Sequence, residues 1–212
     1  MSFDPITLVL VQAAADCYLP NLAPDWQNTE KTCHVYKSVR NGVLTFAFEG
    51  TTDISEWLID FDALQIQTSP DHPAFGPLHL VYWNNVQAAV DLYILPTLQT
   101  LGFPSYYVAG HSKGAGEATE THAYLKWLGH PPLAVRAYEP PRVGGPLLAA
   151  YLSGTDHEWT QTYNADGDDI VTTVPFPPKW AHIGNPIRLR VPDIYGIAQK
   201  HRIQAQQEAL AA

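Results

Sequence analysis

The stretch Gly110-His111-Ser112-Lys113-Gly114 decides the fold of this chain. An apolar run, Tyr106 to Ala109, precedes it, and a helix-compatible segment begins at Ala115. Glycines on both sides of a serine, between a strand and a helix, predict a nucleophile elbow whose sharp turn presents the serine above the sheet edge. The first amides of the helix then lie beside any oxyanion that forms there. The stretch therefore predicts an α/β fold and a nucleophilic serine, Ser112.

Composition limits the classes of protein to which the chain can belong. With 212 residues and 46% hydrophobic residues, the sequence predicts one compact domain, residues 1–212, with a large core. A formal net charge of -9 argues against a nucleic-acid partner, since phosphate binding needs clustered basic residues. No apolar stretch is long enough to span a bilayer, so stable membrane insertion is not expected.

The N-terminal segment is predicted to be part of the fold. The apolar run Ile6 to Ala15 follows Asp4-Pro5 and not a basic residue, which favours a helix start over a signal peptide. We therefore expect a soluble protein, in the cytoplasm or secreted by a route that this sequence does not display. Two cysteines, Cys17 and Cys33, are expected to be buried free thiols.

Strand and helix patterns alternate along the chain. Strand-like runs flank Asn41-Gly42, a strong hairpin signal, at 33–40 and 43–49. Further strands are predicted at 105–109, 133–138, 159–164 and 186–191, with helices over about 77–101, 113–128 and from about 203. Pro96 is expected to kink or shorten the first of these helices. This alternation predicts a central, mostly parallel sheet with helices on both faces and an N-terminal hairpin.

One more helix is predicted between the hairpin and the elbow. In the segment 51–62, the apolar residues Ile54, Trp57, Leu58 and Phe61 recur at helical spacing. The stripe they form predicts either a helix packed on the core or a flap beside the active site.

A serine nucleophile needs a base and an acid, which follow it in the chain order serine, acid, histidine in this architecture. Of nine histidines, only His182 and His201 follow the candidate acids. His201 comes after the last predicted strand, where active groups meet at the carboxyl ends of strands, whereas His182 precedes that strand. We therefore predict His201 as the base, with His182 structural or lining the pocket.

The acid is predicted in the segment 164–171. It offers Asp166, Asp168 and Asp169, and its spacing does not fit a calcium loop. Asp169 directly precedes the apolar pair Ile170-Val171, which would anchor it, whereas the other two flank a flexible glycine. We predict Asp169 as the acid.

The oxyanion hole needs two backbone amides. The amide of Lys113, directly after the nucleophile, is one candidate. The second is Thr51, which directly follows the strand 43–49 and Gly50. Thr51 could equally serve as the N-cap of the next helix.

Several segments together resemble the class 3 lipase family of fungal-lipase-like α/β-hydrolases. They are Phe48-Glu49-Gly50-Thr51, Trp57-Leu58-Ile59-Asp60, the elbow, Glu139-Pro140-Pro141-Arg142-Val143-Gly144, the loop from Asn164 to Pro175, and His182-Ile183-Gly184. The fourth of these segments resembles the family's Gly-x-Pro-Arg-Val-Gly signature. The departures are Glu49, where the family has arginine, Lys113, where it has leucine, and Ala115, where it has the second glycine of the elbow.

The resemblance implies an α/β-hydrolase that cleaves carboxylic esters, a lipase or esterase, without a metal or another cofactor. It implies a triad of Ser112, Asp169 and His201, with an oxyanion hole at Thr51 and Lys113. We also predict that Trp57, Phe61, His111 and Pro175 contact the substrate. The predicted partner is an ester or lipid, with transient contact at a lipid interface. A non-catalytic binding protein and an acyltransferase that uses the same triad are the alternatives.

Overall fold

A computed structural model describes residues 4–51, 66–68, 73–175 and 178–211 of the chain. Within these residues, eight strands form the main sheet: β1 Trp26–Gln27, β2 His34–Arg40, β3 Val43–Phe48, β6 Tyr106–His111, β7 Ala134–Tyr138, β8 His157–Asn164, β9 Gly167–Asp168 and β10 Asn185–Arg190. Their order in the sheet is β1-β2-β3-β6-β7-β8-β10, with β9 paired to β8. Strands β4 Ile66–Thr68 and β5 Pro77–His79 pair separately as an antiparallel ribbon.

Helices connect these strands. They are α1 Pro5–Asp16, α2 Leu80–Ala89, α3 Leu95–Thr100, α4 Lys113–Trp127, α5 Pro146–Tyr151, α6 Ile197–Lys200 and α7 Ile203–Ala211. Short 3-10 turns lie at Pro73–Phe75 and Val171–Thr173. None of the helices in the described ranges is both long and apolar enough to cross a membrane.

The sheet is antiparallel at its N-terminal edge and parallel beyond it, apart from the short β9, which pairs antiparallel with β8. β1, β2 and β3 pair antiparallel, and β3, β6, β7, β8 and β10 follow in parallel. The predicted hairpin is confirmed, with Asn41 and Gly42 at φ +51° and +78°, the positive values that its turn requires. Because the central strands are parallel, their carboxyl ends meet at one edge, where the elbow lies.

Helices cover both faces of the sheet. In β6, the side chains alternate between two cores: Val108 packs with α2 and α4, whereas Tyr107 and Ala109 pack with α1 and α7. The predicted start of α1 is also confirmed, since the Asp4 side chain accepts a hydrogen bond from the Ile6 amide at 3.0 Å. Each face therefore buries one set of residues from the elbow strand and holds that strand rigidly.

The segment 77–101 has the interruption predicted near Pro96, but its first residues are not helical. It begins as strand β5, continues as α2, loosens into a π-helical turn over Val90–Ile94 and ends as α3. Pro96 lies in the first turn of α3. Proline has no amide to donate to the preceding turn, which accounts for the break in regular α-helix before it. The predicted helix at 51–62 falls outside the described residues, except for Thr51.

Both cysteines are free and buried, as predicted. Cys17 follows α1, and Cys33 directly precedes β2.

Candidate active site

Ser112 occupies a strained elbow between β6 and α4. Its φ is +57° and its ψ is -126°, a backbone conformation that is costly for a residue with a side chain. Its amide donates a hydrogen bond to the Tyr138 carbonyl at 2.9 Å, which ties the turn to the end of β7. Strain that the surrounding structure holds in place is a frequent property of reactive residues.

The glycines of the elbow are needed for close approach between backbones. Neither Gly110 nor Gly114 has a positive φ. A Cβ on Gly110 would lie 2.1 Å from the Gly114 carbonyl oxygen, and one on Gly114 would lie 2.3 Å from the Phe48 carbonyl oxygen. The serine therefore takes the strained angle, and the glycines let strand, turn and helix pack against each other.

The segment after β3 lies against the elbow. A Cβ on Gly50 would lie 2.4 Å from the His111 carbonyl oxygen and 3.1 Å from Ser112 Cβ. Thr51 follows directly and is only partly exposed. Lys113 is the first residue of α4, where an amide has no partner within the helix. Gly50, Thr51 and the start of α4 therefore surround the serine side of the site.

The side chain of Lys113 is held away from the serine. Its ammonium donates to both carboxylate oxygens of buried Glu117 at 2.9 Å and to the Thr32 carbonyl at 2.7 Å. The leucine-to-lysine departure from the family pattern is thus compensated by an acidic residue one turn along the helix.

Asp169 and His201 lie together, although 32 residues separate them in the chain. Asp169 Oδ2 is 2.7 Å from His201 Nδ1, and both side chains are buried. A carboxylate accepts, so Nδ1 carries the proton and Nε2 carries the lone pair. His201 Nε2 is buried and has no hydrogen-bond partner within the part of the chain that is described. This is the tautomer that a general base needs.

Contacts with backbone atoms hold the carboxylate and the imidazole in place. The Asp169 amide donates to the Thr162 carbonyl at 2.9 Å. Lys200, which precedes the histidine, is buried, and its ammonium donates to Asn164 Oδ1 and to the Gly167 carbonyl, both at 3.1 Å. The lysine therefore fastens the histidine segment to the loop that carries the aspartate. Sequence reasoning missed this role of Lys200. The available signal was a charged residue directly before the predicted base.

His182 has other partners. Its Nε2 lies 2.7 Å from the Thr172 carbonyl, and its ring stacks on Trp159 at 3.7 Å between centroids. Burial lowers the pKa of His182 to about 4, with a smaller opposing effect from the Thr172 carbonyl. The His182 ring therefore packs in the neutral state beside the loop after β9. Asp169 contacts His201 and not His182.

His111 is tied within the protein at both ring nitrogens. Nε2 lies 2.7 Å from the His201 carbonyl, which only accepts, so Nε2 carries the proton. Nδ1 lies 2.7 Å from the Tyr18 hydroxyl and accepts from it in the neutral ring. Burial lowers the pKa of His111 to about 4. These contacts leave neither nitrogen for the substrate contact that was predicted and make the ring a brace between the elbow and His201.

A second carboxyl group, that of Glu139, lies at the site, and sequence reasoning gave it no role. It follows β7 at φ +52° and is fully buried. Its Oε2 lies 3.4 Å from His201 Nδ1 and 3.5 Å from His111 Nε2. Burial and the charge of Asp169 raise the pKa of Glu139 well above its usual range. The available signal was that Glu139 occupies the first position of the Gly-x-Pro-Arg-Val-Gly signature, where glycine is expected. We call Ser112, His111, Glu139, Asp169 and His201 the Ser112 cluster.

Three members of this cluster have the spacing of a metal site. Ligand atoms of His111, Glu139 and His201 lie within 4.8 Å of one another. The two ring nitrogens that face the centre both carry protons, because one donates to a carbonyl and the other to Asp169. A cation needs lone pairs at these positions, so the geometry fits a hydrogen-bonded network better than a metal centre.

A cavity of about 320 Å³ opens beside the site. Within it, His34 Nδ1 and Glu49 Oε2 pair at 2.5 Å. The wall is therefore charged on the side of β3. The cavity is lined by Lys31, Thr32, His34, Glu49, Gly50, Thr51 and Lys113.

The remaining predicted substrate contacts are divided between described and undescribed parts of the chain. Pro175 is partly buried after the 3-10 turn, and its carbonyl accepts from Arg142 Nη1 at 2.9 Å. Arg142 also donates to the Thr173 carbonyl, so the predicted signature segment holds the loop of the acid. Trp57 and Phe61 lie outside the described residues.

Comparison with known proteins identifies the family of the chain. The family model described as "Lipase (class 3)" matches residues 45–179. Secreted mono- and diacylglycerol lipase A from Penicillium cyclopium and from Penicillium camembertii are each 29% identical over 129 residues, 59% of this chain and 42% of the relative. The matched stretch thus spans less than half the length of these curated relatives.

Solved structures share the fold. The mono- and diacylglycerol lipase from Aspergillus oryzae superposes with a TM-score of 0.69 at 20% identity, covering 94% of this chain and 85% of that one. Lip2 lipase from Yarrowia lipolytica gives a TM-score of 0.70 at 16% identity, covering 94% and 84%. These likenesses confirm the predicted α/β-hydrolase fold.

Proposed function

The chain belongs to the class 3 lipase family, and from that premise we propose that it hydrolyses carboxylic esters through an acyl-enzyme on Ser112. One observation carries the proposal. The 2.7 Å contact between Asp169 and His201 Nδ1 leaves the lone pair of buried Nε2 available, on a histidine braced against the residue next to Ser112.

In the proposed reaction, His201 Nε2 accepts the proton of Ser112 as the serine oxygen attacks the ester carbonyl. Asp169 stabilises the imidazolium that forms. His201 then returns the proton to the leaving alcohol as the carbon–oxygen bond breaks. Water, deprotonated by the same nitrogen, attacks the acyl-enzyme and releases the carboxylic acid and free Ser112.

The negative charge on the carbonyl oxygen would be held by the amides of Lys113 and Thr51. Support for this comes from the position of Lys113 at the start of α4 and from the close approach of Gly50 to Ser112. Base, acid and oxyanion donors are all supplied by the protein, so this mechanism calls for no metal or cofactor.

The substrate class is proposed from the site and from the relatives. The relatives are named as mono- and diacylglycerol lipases, whose substrates carry free hydroxyl groups. The cavity beside Thr51 has charged walls, which suit a polar alcohol portion better than a fully apolar one. We therefore propose esters of polar alcohols as substrates, with transient contact at a lipid interface.

Rates on esters of increasing acyl length, below and above their solubility limits, test this substrate class. We expect partial acylglycerols to be hydrolysed faster than triacylglycerols of the same chain length. Faster hydrolysis of triacylglycerols would contradict the proposed class. A jump in rate above the solubility limit would indicate activation by an interface.

A fluorophosphonate probe tests the activity itself. We expect the probe to label Ser112, identified by mass spectrometry of the labelled peptide, and to abolish hydrolysis of p-nitrophenyl butyrate in proportion to labelling. An unlabelled, inactive protein would favour a non-catalytic binding function. Preferential transfer of the acyl group to an added alcohol would favour an acyltransferase.

The compartment is a separate proposal. The proposed reaction uses no thiol, so it places no demand on the redox state of the compartment, and Cys17 and Cys33 are free and buried. The relatives are named as secreted proteins. Detection of the native protein in culture supernatant, against a cytosolic marker, would distinguish secretion from a cytoplasmic location.

A further inference from the structure

Glu139 is the member of the Ser112 cluster that the proposed mechanism does not use. Its backbone amide donates to the Thr160 carbonyl at 3.2 Å, and the preceding residue, Tyr138, accepts from the Ser112 amide. The glutamate therefore stands at the end of β7, next to the strand that carries the elbow. Its carboxyl group turns into the protein and is fully buried.

This placement is costly in two ways. A φ of +52° is a left-handed conformation in which glycine is favoured over glutamate by about 1 kcal/mol or more. Burying a carboxyl group is also unfavourable unless it is paired or neutral. Glycine, the residue of the signature that this segment resembles, would avoid both costs. A residue that is present beside a reactive histidine despite both costs is a candidate for a functional role.

The hydrogen bonds around Thr162 indicate the protonation state of Glu139. Thr162 Oγ1 lies 2.9 Å from the Lys200 carbonyl and makes a second short contact with Glu139 Oε1. A carbonyl and an ionised carboxylate both only accept, and a hydroxyl has one proton to donate. Both hydrogen bonds are satisfied when Glu139 is protonated, so that Oε1 donates to Thr162 and Thr162 donates to the Lys200 carbonyl.

The charges around Glu139 agree with a neutral carboxyl group. The titratable groups that face it are Asp169 from the loop after β9, His201 after α6, His111 at the end of β6 and Tyr18 after α1. The ammonium of Lys200 bonds elsewhere, to Asn164 and Gly167. Burial and the negative charge of Asp169 together keep the pKa of Glu139 high.

We propose that Glu139 is a second acid of this site, a protonated carboxyl group that positions His201 from the Nδ1 side together with Asp169. Its free oxygen, Oε2, lies 3.4 Å from His201 Nδ1, against 2.7 Å for Asp169 Oδ2. In the intact site, Asp169 takes the hydrogen bond, and Oε2 faces the positive charge that develops on the ring. When Asp169 is absent, its negative charge no longer adds to the effect of burial, and the positive charge that develops on His201 favours ionisation of Glu139, which then takes over as the orienting carboxylate.

A double-mutant cycle tests this role, which rests on the proposed hydrolase activity. Loss of the acid alone costs a serine hydrolase about 10⁴-fold in kcat. We expect Asp169→Ala to cost only about 10²-fold, because Glu139 replaces the missing carboxylate. In the Glu139→Gln background, the same change should cost at least about tenfold more. Glu139→Gln alone should lower kcat about threefold to tenfold with KM nearly constant.

The matched control is Glu120→Gln, which removes another fully buried carboxyl group, on α4. Asp169→Ala should cost the same factor in this background as in the wild type. An equal cost of Asp169→Ala in the Glu139→Gln and wild-type backgrounds would refute the second acid. A wild-type protein that neither cleaves p-nitrophenyl butyrate nor reacts with a fluorophosphonate would instead refute the proposed function.

A second measurement does not depend on the folding of Asp169→Ala. The pH dependence of the fluorophosphonate labelling rate responds to a change of charge beside the nucleophile and its base. Because a protonated glutamate carries no charge, Glu139→Gln should leave the acid limb of this profile within about 0.3 pH unit of the wild type. Removal of an ionised carboxylate would move the limb to lower pH by about one unit or more, which would overturn the protonated state.

Discussion

Two clusters of buried histidines within the described residues differ in what their rings face. In the Ser112 cluster, hydrogen bonds link Tyr18, His111, His201 and Asp169, and the Nε2 of His201 has no partner among the described residues. Elsewhere, His122 on α4 and His157 at the start of β8 stack on each other, with Nδ1 atoms 3.0 Å apart and ring centroids 5.3 Å apart. The first arrangement is next to a strained nucleophile, and the second is enclosed in packing.

The comparison teaches that burial of titratable groups does not by itself identify a reactive site. Burial lowers the pKa of His157 well below its usual value and that of His122 to about 4. These shifts are as large as that of His111 in the Ser112 cluster. What distinguishes the cluster is geometry: an oriented tautomer, an open lone pair and a serine at positive φ. Substitutions in the two places should therefore have different effects.

The largest expected effect is that of Ser112→Ala. It removes the proposed nucleophile, so we expect kcat for p-nitrophenyl butyrate to fall by about 10⁴-fold or more. The melting temperature should change little, because the amide that bonds to Tyr138 remains. Hydrolysis at a substantial fraction of the wild-type rate would show that the reaction takes place elsewhere.

The next comparison is between two histidines. His201→Ala should lower kcat by a similar factor, because it removes the proposed base. His182→Ala should keep activity within a few fold and lower the melting temperature, since it removes a ring stacked on Trp159. The reverse ranking in the same assay would assign the base to His182.

A smaller effect is expected for Tyr18→Phe, which removes the hydroxyl that bonds to His111 Nδ1. An unpaired buried acceptor costs about 1–3 kcal/mol in the free energy of unfolding. Because His111 braces the His201 carbonyl, we also expect kcat to fall several-fold with KM constant.

Tyr106→Phe is its control, since the Tyr106 hydroxyl donates to the His130 carbonyl away from the Ser112 cluster. It should lower stability in urea denaturation without lowering kcat. Equal losses of kcat in the two variants would rule out a specific brace at Tyr18.

The smallest effect on activity is expected for His122→Gln, which should leave kcat at pH 7 unchanged. The pKa of His122 is about 4 in the folded protein, below the ordinary 6.5, so unfolding takes up a proton between these values. Stability is therefore lost as the pH falls from about 6.5 to about 4, by up to roughly 3 kcal/mol for this group.

The glutamine variant should show a correspondingly smaller loss when urea denaturation is measured at pH 7 and pH 4.5. The wild type is the reference at each pH, so groups with the opposite sign, such as buried Glu120 with its raised pKa, cancel. An identical loss in both proteins would contradict neutral burial of His122.

Sequence patterns predicted the parts of the fold that depend on local backbone preferences. Asn41-Gly42 specified the hairpin, and the glycines around Ser112 specified the strand-to-helix turn. The helix predicted from residue 77 begins later, at Leu80, because the start of a helical pattern depends on what packs against it, and here strand β5 pairs with β4.

The site was harder to predict than the fold because its contacts join distant parts of the chain. Tyr18 and His111 are 93 residues apart, and no short motif relates them. Glu139 is brought to His201 by the parallel pairing of β6, β7 and β8, which sets their carboxyl ends side by side. Its role depends on the direction of a single side chain at positive φ, which residue type alone does not specify.

The left-handed backbone of Glu139 also has a consequence for laboratory evolution. Every glutamate codon becomes a glycine codon by one base change, and glycine at this position relieves the backbone and removes a buried acid. Random mutagenesis followed by selection for heat resistance alone should therefore recover Glu139→Gly repeatedly. Selection for turnover should eliminate the same allele, so opposite enrichment in the two pools would measure how far stability and catalysis conflict at one codon.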